Sequence, residues 1–483
     1  MKVLQNLING QFVDANAVER LDVPNPATRE VLAQVPLSSG EDVDRAAAAA
    51  QAAFESWSQV PPAERARVMF RYRDILERHK DELALLVTQE NGKNLDDARG
   101  EVRRGIEVVE FACGIPTLLM GSVLPNVSRE IDSEMIRFPV GVVAGITPFN
   151  FPCMVPMWLF PIAIACGNAF ILKPSERTPL SSNRLAELLL EAGLPNGVLN
   201  VVHGAKEVVD RILEHPAIRA VSFVGSAPVA KYVYQTAAAH GKRVQALAGA
   251  KNHHIVLADA PLQKTVEILI GSAYGNAGER CLAGSVVLIE ETIADEFIQL
   301  LTQAANRMEI GDGREAGKEL GPVIREEHRA RIVHYIESGI AEGATPILDG
   351  RVVDASVGKG YFLGPTLFDH VQPEMTIARE EIFGPVLSMI RVRDLEDAIA
   401  VANRSELGNA AVLYTSSGRA ARVFRETMQA GMLGVNIGVP APMAYFPFSG
   451  WKGSFYGDLH ATGRDGVEFY TKKKMITTRW FND

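Results

Sequence analysis

Cysteine is scarce in this chain: four in 483 residues, at positions 113, 153, 166 and 281, with no pair at the short spacing of metal or redox motifs. So few thiols exclude a disulfide scaffold and fit a reducing, cytoplasmic compartment. A basic surplus is missing too. Against 58 Asp and Glu stand 49 Lys and Arg, a net charge of −9, which argues against a protein built to grip nucleic acid. The stretch MKVLQNLINGQFVDANAVER lacks the apolar core of a secretory signal. Lys2 stands where myristoylation requires glycine, and no cysteine lies near the last residues, so neither leader nor lipid anchor is expected. Phe138 to Leu172 carries no charge at all, but Pro139, Pro148, Pro152, Pro156 and Pro161 interrupt it. It therefore reads as a buried strand, turn, helix and strand rather than a membrane span. No GxGxxG opens a helix after a strand, and neither GxxxxGK[ST] nor HExxH occurs. His253 and His254 are adjacent, so on a strand their side chains diverge and no metal site is expected there.

What is present is the composition of a globular protein, 47% hydrophobic and 22% charged. At roughly 150 residues per domain the length accommodates two or three domains. Asn9-Gly10 reads as a hairpin turn between NLI and QFV. Ser38-Ser39-Gly40-Glu41 reads as a capping box opening an Ala-rich helix to about Trp57. A second long helix follows Pro61-Pro62. From residue 138 onward, short β-rich runs (VVAGIT, AFILK, VLNVVHG, AVSFVG, HIVLA, SVVLIE) alternate with helical ones, the pattern of a doubly wound parallel sheet, and a second α/β series runs from about 250 to 450. Polar-apolar alternation between Met120 and Arg137, and from Gly466 onward, predicts strands outside both cores; Lys472, Lys473 and Lys474 fit a soluble strand edge.

Four segments can carry chemistry. TPFNFP (Thr147 to Pro152) follows a strand and places Asn150 where open α/β sheets bind ligands. ILKPSERTP (Ile171 to Pro179) ends a buried strand at Lys173, with Glu176 three residues on, a pair able to clasp a ribose or each other. In SFVGSAPVAKYV, Gly225 and Ser226 lie between strand and helix, where free N–H groups suit a pyrophosphate. YGNAGERCLAGS (Tyr274 to Ser285) sets Cys281 among small residues beside Arg280, a cation that favours a thiolate. Cys113, Cys153 and Cys166 lie in apolar runs and read as inert.

Taken in order, TPFNFP, LKPSERTP, FVGS, NAGERC and EEIFGPVL (Glu380 to Leu387) resemble the aldehyde dehydrogenase superfamily over essentially the whole chain. The resemblance implies a Rossmann-like NAD domain (1–119 and 140–249), an α/β catalytic domain (250–449), and a β oligomerisation arm (120–139 and 463–483) joining subunits as a homotetramer. It makes Cys281 the nucleophile, with Asn150 and the Cys281 N–H as oxyanion hole. For the cofactor it implies Thr147, Phe149, Lys173, Glu176, Arg177, Gly225, Ser226, Glu381 and Phe383.

One departure is informative. Hydrolytic members open their ELGGK segment with a Glu that activates water, whereas the matching stretch here is LAGAKNHH, with Leu247 in the Glu position. Leucine accepts no proton, so the thioacyl enzyme calls for a better nucleophile such as the thiol of coenzyme A. GAKNH, GERC, PAPMAYFPFSGWKGSFYGD and GVEFYT are similar to the CoA-acylating methylmalonate-semialdehyde (malonate-semialdehyde) branch. That resemblance implies Arg280 and Arg104 as binders of a substrate carboxylate. Alternatives are a hydrolytic enzyme using Asp458 or Glu279 as base, and a catalytically silent relative.

Overall fold

The computed structural model describes residues 2–17, 19–354 and 357–481. Two large sheets organise it. The first has eight strands in the order Gln11–Val13, Asn6–Ile8, Leu199–Val201, Ala169–Lys173, Val142–Ile146, Ile218–Val224, Arg243–Leu247 and Phe455–Gly457. Its five inner strands are parallel; the hairpin of Asn6–Ile8 and Gln11–Val13 closes one side, joined antiparallel through Asn6–Ile8, and the antiparallel Phe455–Gly457 closes the other. Alternate residues of the inner strands feed two cores. One packs under the helices Pro62–Asn91, Leu95–Cys113, Met154–Ala165 and Leu180–Glu191, the other under Gly40–Trp57, Lys206–Glu214 and Ala227–Ala239. Strands covered on both faces explain the near-continuous apolar runs. The uncharged segment resolves into Val142–Ile146, the wholly buried helix Met154–Ala165 and Ala169–Lys173. No helix among the described residues is long and apolar enough to cross a membrane.

The second sheet has seven strands in the order Thr345–Leu348, Thr366–Asp369, Val386–Val392, Gly284–Glu290, Asn252–Val256, Ala410–Tyr414 and Met432–Val435, all parallel except the first. Ser122–Ser128, Ile131–Pro139 and Thr471–Arg479 form a separate antiparallel arm. Val123, Leu124, Val127, Met475 and Trp480 are exposed on it.

Two expectations shift locally. The first long helix caps one residue later than the Ser38 box implies: Ser39 is its N-cap, and the Asp42 carboxylate accepts the Ser39 N–H at 3.4 Å. The residues around Gly466, expected as strand, form the helix Gly463–Phe469 before the strand Thr471–Arg479 begins. That helix buries Gly463, Gly466, Val467 and Phe469, and packs Gly466 against Ile162, which a strand there would not do.

The two sheets meet end to end. Asn150, Lys173, Ser226 and Leu247 follow or finish parallel strands of the first sheet, at their C-terminal ends. Cys281, Glu381, Asn252 and Asn409 precede or begin parallel strands of the second, at their N-terminal ends.

Candidate active site

Cys281 sits just before the strand Gly284–Glu290, half-buried, while Cys113, Cys153 and Cys166 are buried. The turn leading to it is left-handed at Asn276, Ala277 and Gly278, with φ of 51°, 52° and 71°. Two of these are not glycine, so the backbone stores strain beside the thiol. Gly278 is required by a close approach as well: a Cβ there would lie 2.2 Å from the Gly384 carbonyl oxygen. Asn252 Nδ2 and Asn409 Nδ2 both donate to the Cys281 carbonyl, at 2.9 and 2.8 Å, which fixes the residue's main chain from two strands.

Asn150 meets this turn. Its Nδ2 donates to the Glu279 carbonyl at 3.0 Å, and Asn276 Nδ2 donates to the same oxygen at 3.2 Å. The Asn150 amide carries two hydrogens, so the second remains for a ligand oxygen beside Cys281. Leu247 and Cys281 pack on one apolar cluster, so no proton acceptor stands at Leu247.

Arg280 does favour the thiolate, as the sequence suggests, but is outweighed. Burial, then the Glu381 carboxylate, push Cys281 up to about 12, outweighing the guanidinium. Arg280 is committed elsewhere: its Nη2 donates to Asp97 Oδ1 at 2.6 Å and its Nη1 to the Gly271 carbonyl at 3.2 Å. Glu381 Oε1 accepts the Ala250 N–H at 2.8 Å, and burial holds its carboxyl above the ordinary value. Gly249 makes room for it, since a Cβ there would stand 2.6 Å from Glu381 Oε2.

The remaining residues follow or finish strands of the first sheet, except Phe383, which precedes a strand of the second. Phe383, with φ of 59°, meets Phe149 edge to face at 5.9 Å between ring centres. Lys173 Nζ donates to Glu176 Oε2 at 2.9 Å. Burial disfavours the charged Glu176, but the Lys173 ammonium, helped by Arg177, keeps its carboxyl below the ordinary range. Arg177 is half-buried, its N–H on Ser175 Oγ. Gly225 N–H is used by the Leu247 carbonyl at 3.1 Å, and so is not free for an anion. Ser226 caps the helix Ala227–Ala239 without spending its hydroxyl on that helix. Thr147 Oγ1 is buried with no partner. An unspent N-cap hydroxyl, an orphaned buried hydroxyl and an ionised clasp pair are what a dinucleotide would satisfy, so the residues fit one.

Arg104 and Arg280 do not meet. Arg104 reaches Glu107 at 2.9 Å and the Pro442 carbonyl at 2.6 Å, which ties the PAPM loop to the helix Leu95–Cys113. Of the alternative bases, Glu279 accepts the Ile324 N–H at 3.2 Å and lies 3.3 Å from His328 Nε2, and Asp458 is exposed. His253 and His254 are buried in a strand, and no metal-holding cluster occurs among the described residues.

The aldehyde dehydrogenase family profile matches residues 12–476. The chain belongs to that family. Among curated relatives, malonate-semialdehyde dehydrogenase 3 of Geobacillus kaustophilus is 64% identical over 479 residues, 99% of each chain. Malonate-semialdehyde dehydrogenase 2 of Geobacillus thermodenitrificans is 63% identical over 478 residues, again 99% of each. The crystal structure of methylmalonate-semialdehyde dehydrogenase from Oceanimonas doudoroffii superposes with a TM-score of 0.98 at 50% identity, covering 100% of this chain and 99% of that one. A structure from Sinorhizobium meliloti, complexed with NAD, gives 0.98 at 47% identity with the same coverage.

Several supports of this aldehyde dehydrogenase site escape the sequence. Asn252 lies in the quoted GAKNH, but nothing local marks an asparagine that will reach the carbonyl of a residue 29 positions on. Lys251 is buried next to Glu381, and burial pushes its ammonium down to about 7. A lysine inside an apolar stretch is the signal that could have found it.

Proposed function

We propose that the chain oxidises malonate semialdehyde or its methyl homologue with NAD and transfers the acyl group to coenzyme A. The observation that carries this is Leu247, apolar, buried and part of the same apolar cluster that Cys281 packs against, at the sequence position where hydrolytic relatives keep their base. Relatives named malonate-semialdehyde dehydrogenase at 64% and 63% identity support the substrate class.

The residues divide the work as follows. Cys281 Sγ, having released its proton to solvent water, adds to the aldehyde carbon, and the carbonyl oxygen becomes an alkoxide held by the Asn150 amide and the Cys281 N–H. Each such donor typically contributes about 3 kcal/mol to the transition state. NAD, when bound, accepts the hydride that leaves this carbon. Lys173, Glu176, Ser226 and Thr147 bind it, and the ionised Glu176 opposes a 2′-phosphate, which favours NAD over NADP. Glu381, shifting from Ala250 to the nicotinamide ribose, would take its charge away from the thiol. The thioester left on Cys281 bears a β-carboxylate. Loss of carbon dioxide leaves an enolate, which takes up a proton, and the thiolate of coenzyme A then attacks the acyl carbon and expels Cys281 Sγ. The products are acetyl-CoA or propionyl-CoA.

Hydrolysis is the alternative, and the Glu381 charge, which raises the Cys281 thiol, is what favours it. A product assay separates the two. With coenzyme A, NADH is expected to form through many turnovers together with the thioester; without it, NADH should stop after about one equivalent per site. Sustained free-acid release without coenzyme A would replace this reading with the hydrolytic one. The same proposal gives the arm its role in association: the exposed Val123, Leu124, Val127, Met475 and Trp480 support burial against another copy. Sedimentation is expected to show a homotetramer, and a monomer at micromolar concentration would contradict it.

A further inference from the structure

A buried ion pair stands behind the Asn150 turn. Lys93 Nζ donates to Glu101 Oε2 at 2.6 Å and to the Asn150 main-chain carbonyl at 2.7 Å, and lies 4.1 Å from the centre of the Phe151 ring. Glu101 Oε1 accepts the N–H groups of Cys153 and Met154 at 2.8 and 3.1 Å, where the helix Met154–Ala165 starts. The Lys93 and Glu101 side chains are 1% and 0% exposed. One ion pair therefore grips the turn on both sides of Phe151 and Pro152.

Such a pair is a poor source of stability, because desolvating two charges offsets most of their attraction, and apolar residues of equal volume often do as well. Geometry is what it supplies. The carbonyl it holds belongs to the residue whose amide faces the nucleophile turn. Asp97, one helical turn before Glu101, accepts Arg280 Nη2 at 2.6 Å and the Asn276 N–H at 3.1 Å. The segment ahead of this helix is itself tied across: Leu95 N–H donates to the Gly313 carbonyl at 3.1 Å, and Asn94 Nδ2 to the Glu319 carbonyl at 2.9 Å. One face of Leu95–Cys113 thus braces the Asn150 turn through Glu101 and the Cys281 turn through Asp97.

We propose that Lys93 and Glu101 are positioning residues that set the Asn150 amide against the alkoxide formed at Cys281. They touch neither substrate nor cofactor and act through Asn150 alone. The inference rests on Asn150 being the oxyanion donor. Such donors work over a narrow range of positions, so a turn free to relax loses transition-state stabilisation while ground-state binding survives.

The test compares Lys93→Met, Lys93→Arg, Glu101→Gln, Asn150→Ala and the double variant Lys93→Met/Asn150→Ala in the full chain. Lys93→Met and Glu101→Gln are expected to lower kcat about 10- to 100-fold for malonate semialdehyde and for uncharged propanal alike. KM, NAD affinity by fluorescence titration, and the rate of Cys281 alkylation should stay within about threefold of wild type. Lys93→Arg should restore most of kcat, and the double variant should be no slower than Asn150→Ala. A folded Lys93→Met protein with wild-type kcat overturns the proposal, as does a double variant whose losses multiply. Should Lys93→Met fail to fold, Glu101→Gln, which keeps volume and one acceptor, decides by the same outcomes. An Asn150→Ala protein with unchanged kcat would instead sink the oxyanion assignment, and the positioning role with it.

Discussion

A Cys281→Ala protein is expected to lose NADH formation by about 10⁴-fold or more, the usual consequence of removing a covalent nucleophile, while binding NAD as before. Lys173 ends a strand of the first sheet, Thr147, Glu176 and Ser226 follow its strands, and none of the four hydrogen-bonds the Cys281 side chain, so NAD binding should not register the change. The half-buried thiol matters here because the other three cysteines are buried. A thiol-specific probe should therefore label Cys281 first. With the thiol pushed up to about 12 by burial and Glu381, labelling without NAD should be slow. It should rise about tenfold per pH unit up to pH 9, following the thiolate fraction. Turnover retained in Cys281→Ala would remove Cys281 from the mechanism. Labelling that levels off near neutral pH would show the thiol already ionised.

Most strands of the first layer, and the first two of the second in chain order, were legible because strand and helix periodicities differ and the turns carry Gly, Pro and Asn, whereas the rest of the second layer was legible only as an α/β series. The helix Gly463–Phe469 was not, since seven residues with alternating polarity read as strand until Ile162 is there to receive Gly466. Cys281, Asn150, Lys173, Glu176 and Glu381 were legible as motif positions, and each stands just after, at the end of or just before a strand of one of the two large sheets. The state of the thiol was not. Arg280 adjoins Cys281 in sequence, but its guanidinium turns to Asp97, 183 positions away, while Glu381, 100 positions on from Cys281, exerts the stronger charge effect. Adjacency fixes neither direction nor burial, and those two decide a pKa. Lys93 and Glu101 escaped for the same reason. A charged residue in a helix, such as Glu101, or in the short loop ahead of it, such as Lys93, reads as solvated until the fold removes the water.

Replacing Arg104 by alanine is expected to cut kcat/KM for malonate semialdehyde about 10- to 100-fold more than for propanal. Hydrogen bonds to a charged group are worth about 1.5–3 kcal/mol, and only the semialdehyde offers a carboxylate to receive them. Arg104 follows Asp97 by seven residues, so it lies two turns, about 10 Å, along the same face of the helix. It already donates to main-chain carbonyls of the loop at Ala441 and Pro442, at 3.4 and 2.6 Å, and is only partly exposed, so a carboxylate would exchange weaker acceptors for a charged one. Arg280→Ala should show the same preference plus a general loss, because Arg280 also anchors the nucleophile turn through Asp97. Arg280→Lys keeps the charge without the planar fork and should recover the general loss better than the selectivity. Assays of both aldehydes with each variant check this directly. Equal losses on the two aldehydes for Arg104→Ala would mean that the guanidinium serves the loop rather than the substrate carboxylate.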